Sequence, residues 1–391
     1  MFSITISSDL AQKYGENGFN ISYQLSVFSL QQLIAESRKL YKKMKTRTIT
    51  LGSLKIGSKY PVRIKGMLKT PYQDIKGLIA EAKSLEKEGV EALRIAVREE
   101  TDAKIAKVLK KEIKIPIVAD IHFHYKIALA AIENGFDGIR LNPLNICKVD
   151  EVRQVAKEAK ICKIPIRVGV NSGGFKKDFS SPRIFARQMV NSVGRYLRIL
   201  EKEKFFDIMV SLKGSDAAST IIANELFSKE FNYPLHLGIT ATGSFLNGVV
   251  KSSIGLGGLL SKGIGNVIRV SLTAPSFWEI RVAKYILQAL NLRKYGPEIV
   301  SCPTCSRCEV KLIDIVEKFN KELENSGLSA PIRIALMGCV VNGPGEAYQA
   351  DIGAAFGKKK AVIFRKDKIL RQSDENNIIK DLLEEARRIW I

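Results

Sequence analysis

The sequence predicts a (β/α)8 TIM-like barrel followed by a small, cysteine-bearing α+β domain, and three observations carry that prediction. First, eight short apolar, β-branched runs recur between Ile49 and about Leu292: Val62–Ile64, Ala92–Val97, Ile117–Ile121, Gly138–Leu141, Ile166–Val170, Ile208–Leu212, Leu235–Ile239 and Val267–Ser271. Second, segments of helical periodicity separate them; Ile75, Leu78, Ile79, Ala82 and Leu85 make one such face, with Gly89 placed to cap it. Third, the pattern stops after Gly296-Pro297, and Cys302-x-x-Cys305-x-x-Cys308 follows.

Each part has a physical reason. Near-continuous apolar strands alternating with helices belong to a parallel sheet covered on its outer face. Eight such units in roughly 250 residues suit a closed barrel better than an open doubly wound sheet. No glycine-rich dinucleotide fingerprint follows the first run, which also argues against the open sheet. Pro116, Pro165 and Pro234 each precede a strand directly, marking loop-to-strand entry.

The expected boundaries are an N-terminal extension over 1–44, a barrel over 45–296 and a C-terminal domain over 297–391. The extension has no clear strand pattern, and its basic amphipathic stretch from Leu30 to Lys43 suits one surface helix; it is read as dispensable. The C-terminal domain is expected to hold a helix around Val310–Glu324, strands near Ile332–Met337 and Ala361–Phe364, and a terminal helix over Ile378–Ile389.

Composition narrows the class. The chain has 391 residues, 46% of them apolar, as a globular protein does. No apolar run approaches the ~18–20 residues of a membrane span, and the N-terminus lacks a secretory pattern. Six cysteines are too few for a disulfide scaffold in a chain of this length, and their clustering suggests metal in a reducing compartment, so a cytoplasmic location is expected. The net charge of +22 raises nucleic acid as a partner. The basic residues are nevertheless dispersed among acids and lack the stripe with interleaved aromatics that single-strand binding uses, so a lysine-rich surface is the preferred reading.

Chemistry is expected where the strand ends of a barrel meet its loops. Asp120 and His122 close the third run, Arg140 and Asn142 the fourth, Ser211 and Lys213 the sixth, His236 and Thr240 the seventh, and Arg269 and Ser271 the eighth; Arg167 and Asn171 flank the fifth, and Arg94 lies within the second. Arginines in buried strands are costly unless an anion pairs with them, and a convergent Arg/Lys/Asn/Ser set suits a diphosphate. The competing reading gives some of these arginines structural partners among barrel carboxylates. Asp120 suits either the orientation of a substrate hydroxyl or a loop hydrogen bond. His122 reads as a hydrogen-bonding residue at the mouth and His124 as a surface position.

Cys302, Cys305 and Cys308, with Cys339 some thirty residues on, permit zinc or an iron–sulfur cluster; spacing alone does not choose. Cys339 stands in the turn-rich Met337-Gly-Cys-Val-Val-Asn-Gly-Pro-Gly-Glu346, where Glu346 is a possible oxygen ligand. Cys147 and Cys162 read as inert buried thiols.

Together these residues resemble the 4-hydroxy-3-methylbut-2-enyl diphosphate synthase family. The strings that carry the resemblance are Val118-Ala-Asp-Ile-His-Phe123, Arg140-Leu-Asn-Pro143, Pro165-Ile-Arg-Val-Gly-Val-Asn171, Pro234-Leu-His-Leu-Gly238, Ile268-Arg-Val-Ser-Leu272, Cys302-Pro-Thr-Cys-Ser-Arg307 and the segment Met337 to Glu346. The resemblance runs from about Thr46 to the C-terminus. It implies a C-terminal domain similar to those of sulfite reductases and a [4Fe–4S] cluster on Cys302, Cys305, Cys339 and Glu346. It further implies diphosphate binding by Arg94, Arg140, Arg167, Asn171, Lys213, Arg269 and Ser271, with Asn142 beside them. The implied partners are a cyclic diphosphate substrate, flavodoxin or ferredoxin as electron donor, and a second copy in a head-to-tail homodimer.

The sequence departs from the family at points that matter. Thr-Glu-Ala-Gly after the seventh strand is here Thr240-Ala241-Thr242-Gly243, which removes the family's proposed proton donor; Thr242 or a water is the expected substitute. The family's Gln-Ser-Met-Thr-Asn at the first strand is here Lys65-Gly66-Met67-Leu68-Lys69, which reads as an altered first-strand loop. Asn-Pro-Gly-Asn is Asn142-Pro143-Leu144-Asn145, Asn266 replaces an aspartate, and Cys308 is an added thiol. A synthase is the leading expectation; a divergent paralogue binding another diphosphate and a non-catalytic cluster protein are the alternatives.

Overall fold

The computed structural model describes residues 43–175, 181–340, 347, 349–357, 360–366, 368–374 and 376–389. The chain divides into two compact units at Leu292/Arg293. Most of the N-terminal extension, including the stretch read as a helix from Leu30, lies outside the described residues.

In the first unit a hairpin, β1 (Ile49–Leu51) and β2 (Leu54–Ile56), precedes eight parallel strands: β3 (Arg63–Met67), β4 (Ala92–Val97), β5 (Ile117–Ile121), β6 (Gly138–Leu141), β7 (Ile166–Asn171), β8 (Ile208–Lys213), β9 (His236–Leu237) and β10 (Val267–Ile268). Helices α1 (Ile75–Lys87), α2 (Ile105–Glu112), α3 (Tyr125–Glu133), α4 (Val149–Ile161), α5 (Pro182–Lys202), α6 (Ala217–Glu230), α7 (Phe245–Leu260) and α8 (Ser276–Ala289) alternate with them. The strand order β8-β7-β6-β5-β4-β3-β10-β9 is circular, and a parallel bridge between Val210 and Leu235 closes it. This is the barrel that the alternation predicts.

Local chemistry sets the helix ends. The Asp74 side chain accepts from the Gly77 amide at the start of α1. At its end Gly89 takes φ +87°, while the amides of Gly89 and Val90 return to the carbonyls of Glu86 and Leu85, a glycine-capped ending. Leu78, Ala82 and Leu85 are the buried face, and Ile75 stands outside it, 39% exposed.

Strand bounds differ from expectation where sheet bonding, not apolarity, decides them. The first strand begins at Arg63 and runs on through Lys65 and Gly66 to Met67, so these residues are strand and not loop. The seventh and eighth bond into the sheet over only two residues each, and Arg269 and Ser271 follow the last strand. Cys147 and Cys162 are exposed rather than buried, because Cys162 sits in the cap that ends α4 and Cys147 in the loop before that helix.

The hairpin, unanticipated from the sequence, floors the barrel. Ile49, Leu51 and Ile56 pack with Ala92, Val118, Met209 and Val267, which come from the N-terminal ends of β4, β5, β8 and β10. The apolar floor forces polar interior side chains toward the opposite mouth.

The second unit is a five-stranded sheet of β11 (Glu298–Ser301), β12 (Arg333–Met337), β13 (Ile352–Phe356), β14 (Lys360–Arg365) and β15 (Lys368–Asp374), parallel across β11–β13 and antiparallel beyond. Helices α9 (Leu312–Asn325) and α10 (Ile378–Arg388) bury Leu312, Phe319, Ile378 and Leu382 with Ile334, Leu336, Ile352 and Ile363 on one sheet face. Strands β11, β13 and β15 carry no clear apolar alternation that would announce them; β15 is an edge, exposed at five consecutive residues from Lys368 to Gln372.

A candidate anion site inside the barrel

Alternation decides which strand residues face inward. A Cβ on Gly66 would meet Leu93, Val90 and Ile280, which line the outer, helix-facing side, so its neighbour Lys65 points into the barrel. A Cβ on Gly169 would stand 2.5 Å from Ser211 Oγ and 3.3 Å from Arg140 Nε, which puts Arg167, Gly169 and Asn171 on the inner face of β7. Gly238 leaves room in the same way: its Cβ would stand 2.4 Å from Lys213 Nζ and 2.8 Å from the Arg269 carbonyl oxygen.

The interior that results is strongly cationic. Asp120 is the shared counter-charge, 3.5 Å from Arg140 Nε, 3.7 Å from Arg94 Nε and 3.7 Å from Arg167 Nη2, with His122 Nε2 at 3.5 Å. Burial alone would raise its carboxyl, but Arg94, the His122 hydrogen bond, Arg140 and Arg167 hold it well below the usual carboxylate range. Asp120 thus organises the arginines, a role in which the two sequence-level readings of these residues meet. Arg140 also donates to the Gly169 carbonyl at 2.9 Å and to Asn171 Oδ1 at 3.1 Å, and Arg94 Nε reaches Met67 Sδ at 3.0 Å.

One carboxylate does not balance the set. Lys65, Arg94, Arg140, Arg167, Lys213 and Arg269 share the interior with Asp120, and Glu279 is the second acid, 3.8 Å from Arg269 and 2.9 Å from Lys69. Lys65 Nζ and the Nε atoms of Arg140, Arg167 and Arg269 find no hydrogen-bond partner among the described residues. Burial lowers Lys213, with Arg167, Arg269, Arg94 and Lys65 adding to the effect, and burial with Arg94 brings Arg269 down to about 10. Buried, unpartnered donors are expensive, and a polyanion is the ligand that satisfies them.

The remaining residues frame the mouth. Asn142 Oδ1 accepts from the Leu144 amide, and Asn145 donates to the His122 carbonyl at 2.7 Å. Leu144 is not at positive φ, so leucine is tolerated where the family has glycine. The Thr242 hydroxyl donates to the Ser271 carbonyl, which commits its proton to the main chain. Ala241 is exposed with φ +51°, a strained backbone at the rim. Asn266 is buried, its Oδ1 accepting from the Leu235 amide and its Nδ2 donating to Thr46 Oγ1. The sequence reading did not place Lys65, Lys69 or Glu279 at the site; the signal available was a lysine between two outward-facing residues of a barrel strand.

The cysteines belong to the second unit. Strands β11 and β12 pair in parallel with Ser301 opposite Leu336, so Cys302 and Cys339 follow the same ends of neighbouring strands. Cys302 Sγ accepts from the Gly338 amide at 3.3 Å, the kind of N–H contact a thiolate ligand uses. Cys308 Sγ contacts the Val310 carbonyl at 3.2 Å as a thiol donor, and a Cβ on Gly338 would stand 2.4 Å from it. No group of three or more metal-ligating side chains is assembled among the described residues, and Glu346 lies outside them. The donor types and the shared strand ends fit an iron–sulfur cluster.

Comparison with known proteins follows the same division. Residues 46–284 match a family profile described as the GcpE TIM-barrel domain, and residues 298–388 match the GcpE protein C-terminal domain. A protein of Thermodesulfovibrio yellowstonii is 48% identical over 353 residues, 89% of this chain and 100% of its own length; it is named 4-hydroxy-3-methylbut-2-en-1-yl diphosphate synthase (flavodoxin). Proteins of the same name from Caldanaerobacter subterraneus and Clostridium acetobutylicum are each 44% identical, each across 88% of this chain and 97% and 98% of their own lengths. Among solved structures, a dihydropteroate synthase from Stenotrophomonas maltophilia aligns at 14% identity and a TM-score of 0.48, over 62% of this chain and 98% of its own.

Proposed function

The chain belongs to the GcpE family, and from that premise we propose that it is a 4-hydroxy-3-methylbut-2-en-1-yl diphosphate synthase. It is an oxidoreductase of the non-mevalonate route to isoprenoids, reductively opening 2-C-methyl-D-erythritol 2,4-cyclodiphosphate with loss of water. The observation that carries this reading is the excess of cations in the barrel interior, buried Lys65, Arg140, Arg167 and Lys213 and partly buried Arg94 and Arg269, against Asp120 and Glu279.

In this reading Arg94, Arg140, Arg167, Lys213 and Arg269 neutralise the diphosphate, and Asn171 and Ser271 donate hydrogen bonds to it. Each charge-assisted contact contributes roughly 1.5–3 kcal/mol. Asp120 keeps the guanidinium planes aimed at the ligand, Asn142 shapes the adjoining turn, and His122 closes the mouth beside Asp120. A [4Fe–4S] cluster held by Cys302, Cys305, Cys339 and Glu346 would, when bound, supply the two electrons. Flavodoxin is the electron donor in this reading, in keeping with the relatives' names, and ferredoxin is the other carrier of the same kind. The working form is a head-to-tail homodimer in the cytoplasm; no helix among the described residues is long and apolar enough to cross a membrane.

A second reading, a paralogue acting on another diphosphate, is favoured by Ala241, which carries no carboxyl at the position of the family's proposed acid. The test is anaerobic turnover of the cyclic diphosphate by cluster-loaded protein with a strong reductant. Formation of the allylic diphosphate supports the synthase. Absence of product from protein with a full iron and sulfide count overturns it and turns attention to other diphosphates.

A further inference from the structure

Lys65 is the most deeply buried charged side chain of the barrel, 1% exposed, and its Nζ has no hydrogen-bond partner among the described residues. It comes from the middle of β3, where Ile64 and Gly66 on either side face outward, so its side chain enters the barrel interior. The titratable groups around it come from most of the barrel: Arg94 on β4, Asp120 on β5, Arg167 on β7, Lys213 on β8, neutral His236 on β9 and, after β10, Arg269. Only one of these is an acid, and Asp120 is already shared by Arg94, Arg140 and Arg167.

A lysine in that position is unfavourable to the ligand-free protein. It adds a cation to a cationic interior and leaves a donor unmet, where a methionine or glutamine would do neither as severely. Retaining it has a physical reason if an anion completes its bonds. We propose that Lys65 is a direct ligand of the anionic substrate, a specificity-determining cation in the floor-side layer of the site. The proposal rests on the diphosphate reading of the barrel and assigns that reading an added contact.

The state of the amine supports the geometry. Burial, then Arg167, Arg94 and Arg269, lower Lys65 well below its ordinary range, with Asp120 opposing. An anion placed against Nζ reverses the sign of its surroundings. The protonated amine is favoured once the anion is bound, so binding is coupled to proton uptake and weakens as pH rises.

The experiment compares full-length holoprotein with Lys65→Met and Lys65→Gln. Binding of inorganic pyrophosphate and of the cyclic diphosphate is measured by calorimetry in two buffers of different ionisation enthalpy, and thermal midpoints are measured without ligand. The expected result is affinity about tenfold to a hundredfold weaker in both variants, the worth of one charge-assisted hydrogen bond. Proton uptake should be smaller than in the wild type, and the midpoint unchanged or raised. Variants that bind pyrophosphate and substrate as the wild type does would overturn the role of Lys65 while leaving the anion site standing. Lowered midpoints in both variants would assign Lys65 a structural role and overturn it as well. A wild type that binds neither anion would remove the diphosphate reading, and this proposal with it.

Discussion

Arg167 donates from Nη1 to Nδ1 of His236 at 2.8 Å, inside the barrel where both side chains are buried. A guanidinium has no lone pair to offer, so Nδ1 is the acceptor and His236 is neutral with its proton on Nε2. Burial, then Lys213, Arg167, Lys65 and Arg94, hold it well below the ordinary histidine range. Nε2 has no partner among the described residues, so the ring orients Arg167 and keeps a neutral donor free for the ligand.

This pair gives a pH dependence with a defined sign. The unfolded chain protonates His236 near pH 6.5 and the folded chain does not, so its contribution is full above that pH and is lost as pH falls below it. The slope is at most about 1.4 kcal/mol per pH unit. Denaturant midpoints of the ligand-free protein should therefore fall from neutral to mildly acid pH, and His236→Asn should flatten that decline.

Asp120→Asn removes the charge that three arginines share. Breaking a buried pair of this kind costs about 3–5 kcal/mol. The variant should lose that order of stability in chemical denaturation, and millimolar pyrophosphate should raise its thermal midpoint more than that of the wild type, because the anion stands in for the missing carboxylate.

Gly238→Ala places a methyl 2.4 Å from Lys213 Nζ and 2.8 Å from the Arg269 carbonyl oxygen. The lysine can swing away and the carbonyl cannot. We expect a stability loss of about 1–3 kcal/mol, as for overpacking. Anion affinity measured by calorimetry should fall at least tenfold in the same variant, since Lys213 leaves the site.

At the rim, Ala241→Glu restores a carboxyl at φ +51°. If proton delivery limits turnover, kcat should rise by about 10²–10⁴, the usual worth of a general acid. Steady-state kinetics with saturating reductant measure it; an unchanged kcat would place the limiting step elsewhere.

For the cluster domain, Cys308→Ala should leave iron and sulfide content unaltered, since its thiol is engaged with Val310, whereas Cys302→Ala should abolish the visible absorption of the holoprotein. Anaerobic reconstitution followed by iron analysis checks both.

The sequence by itself determined the order of the barrel's elements. Eight apolar runs separated by amphipathic helices permit few other architectures, and local signals such as Asp74 and Gly89 act within a few residues of the backbone they cap. It also placed the arginines in or directly after the barrel strands and four of the cysteines beyond the barrel. Tertiary structure alone decided what each of them meets. Short strands buried on both faces hide their inner side, so Lys65 read as part of an altered loop until the packing of Gly66 against Leu93 and Ile280 turned its neighbour inward. The same holds for Asp120, whose three arginines come from three different strands, and for the β1–β2 hairpin, whose few apolar residues show their purpose only against Ala92, Val118, Met209 and Val267. Periodicity fixes a residue's face relative to its own strand, whereas the identity of its partners depends on barrel closure and register, which are properties of the whole chain.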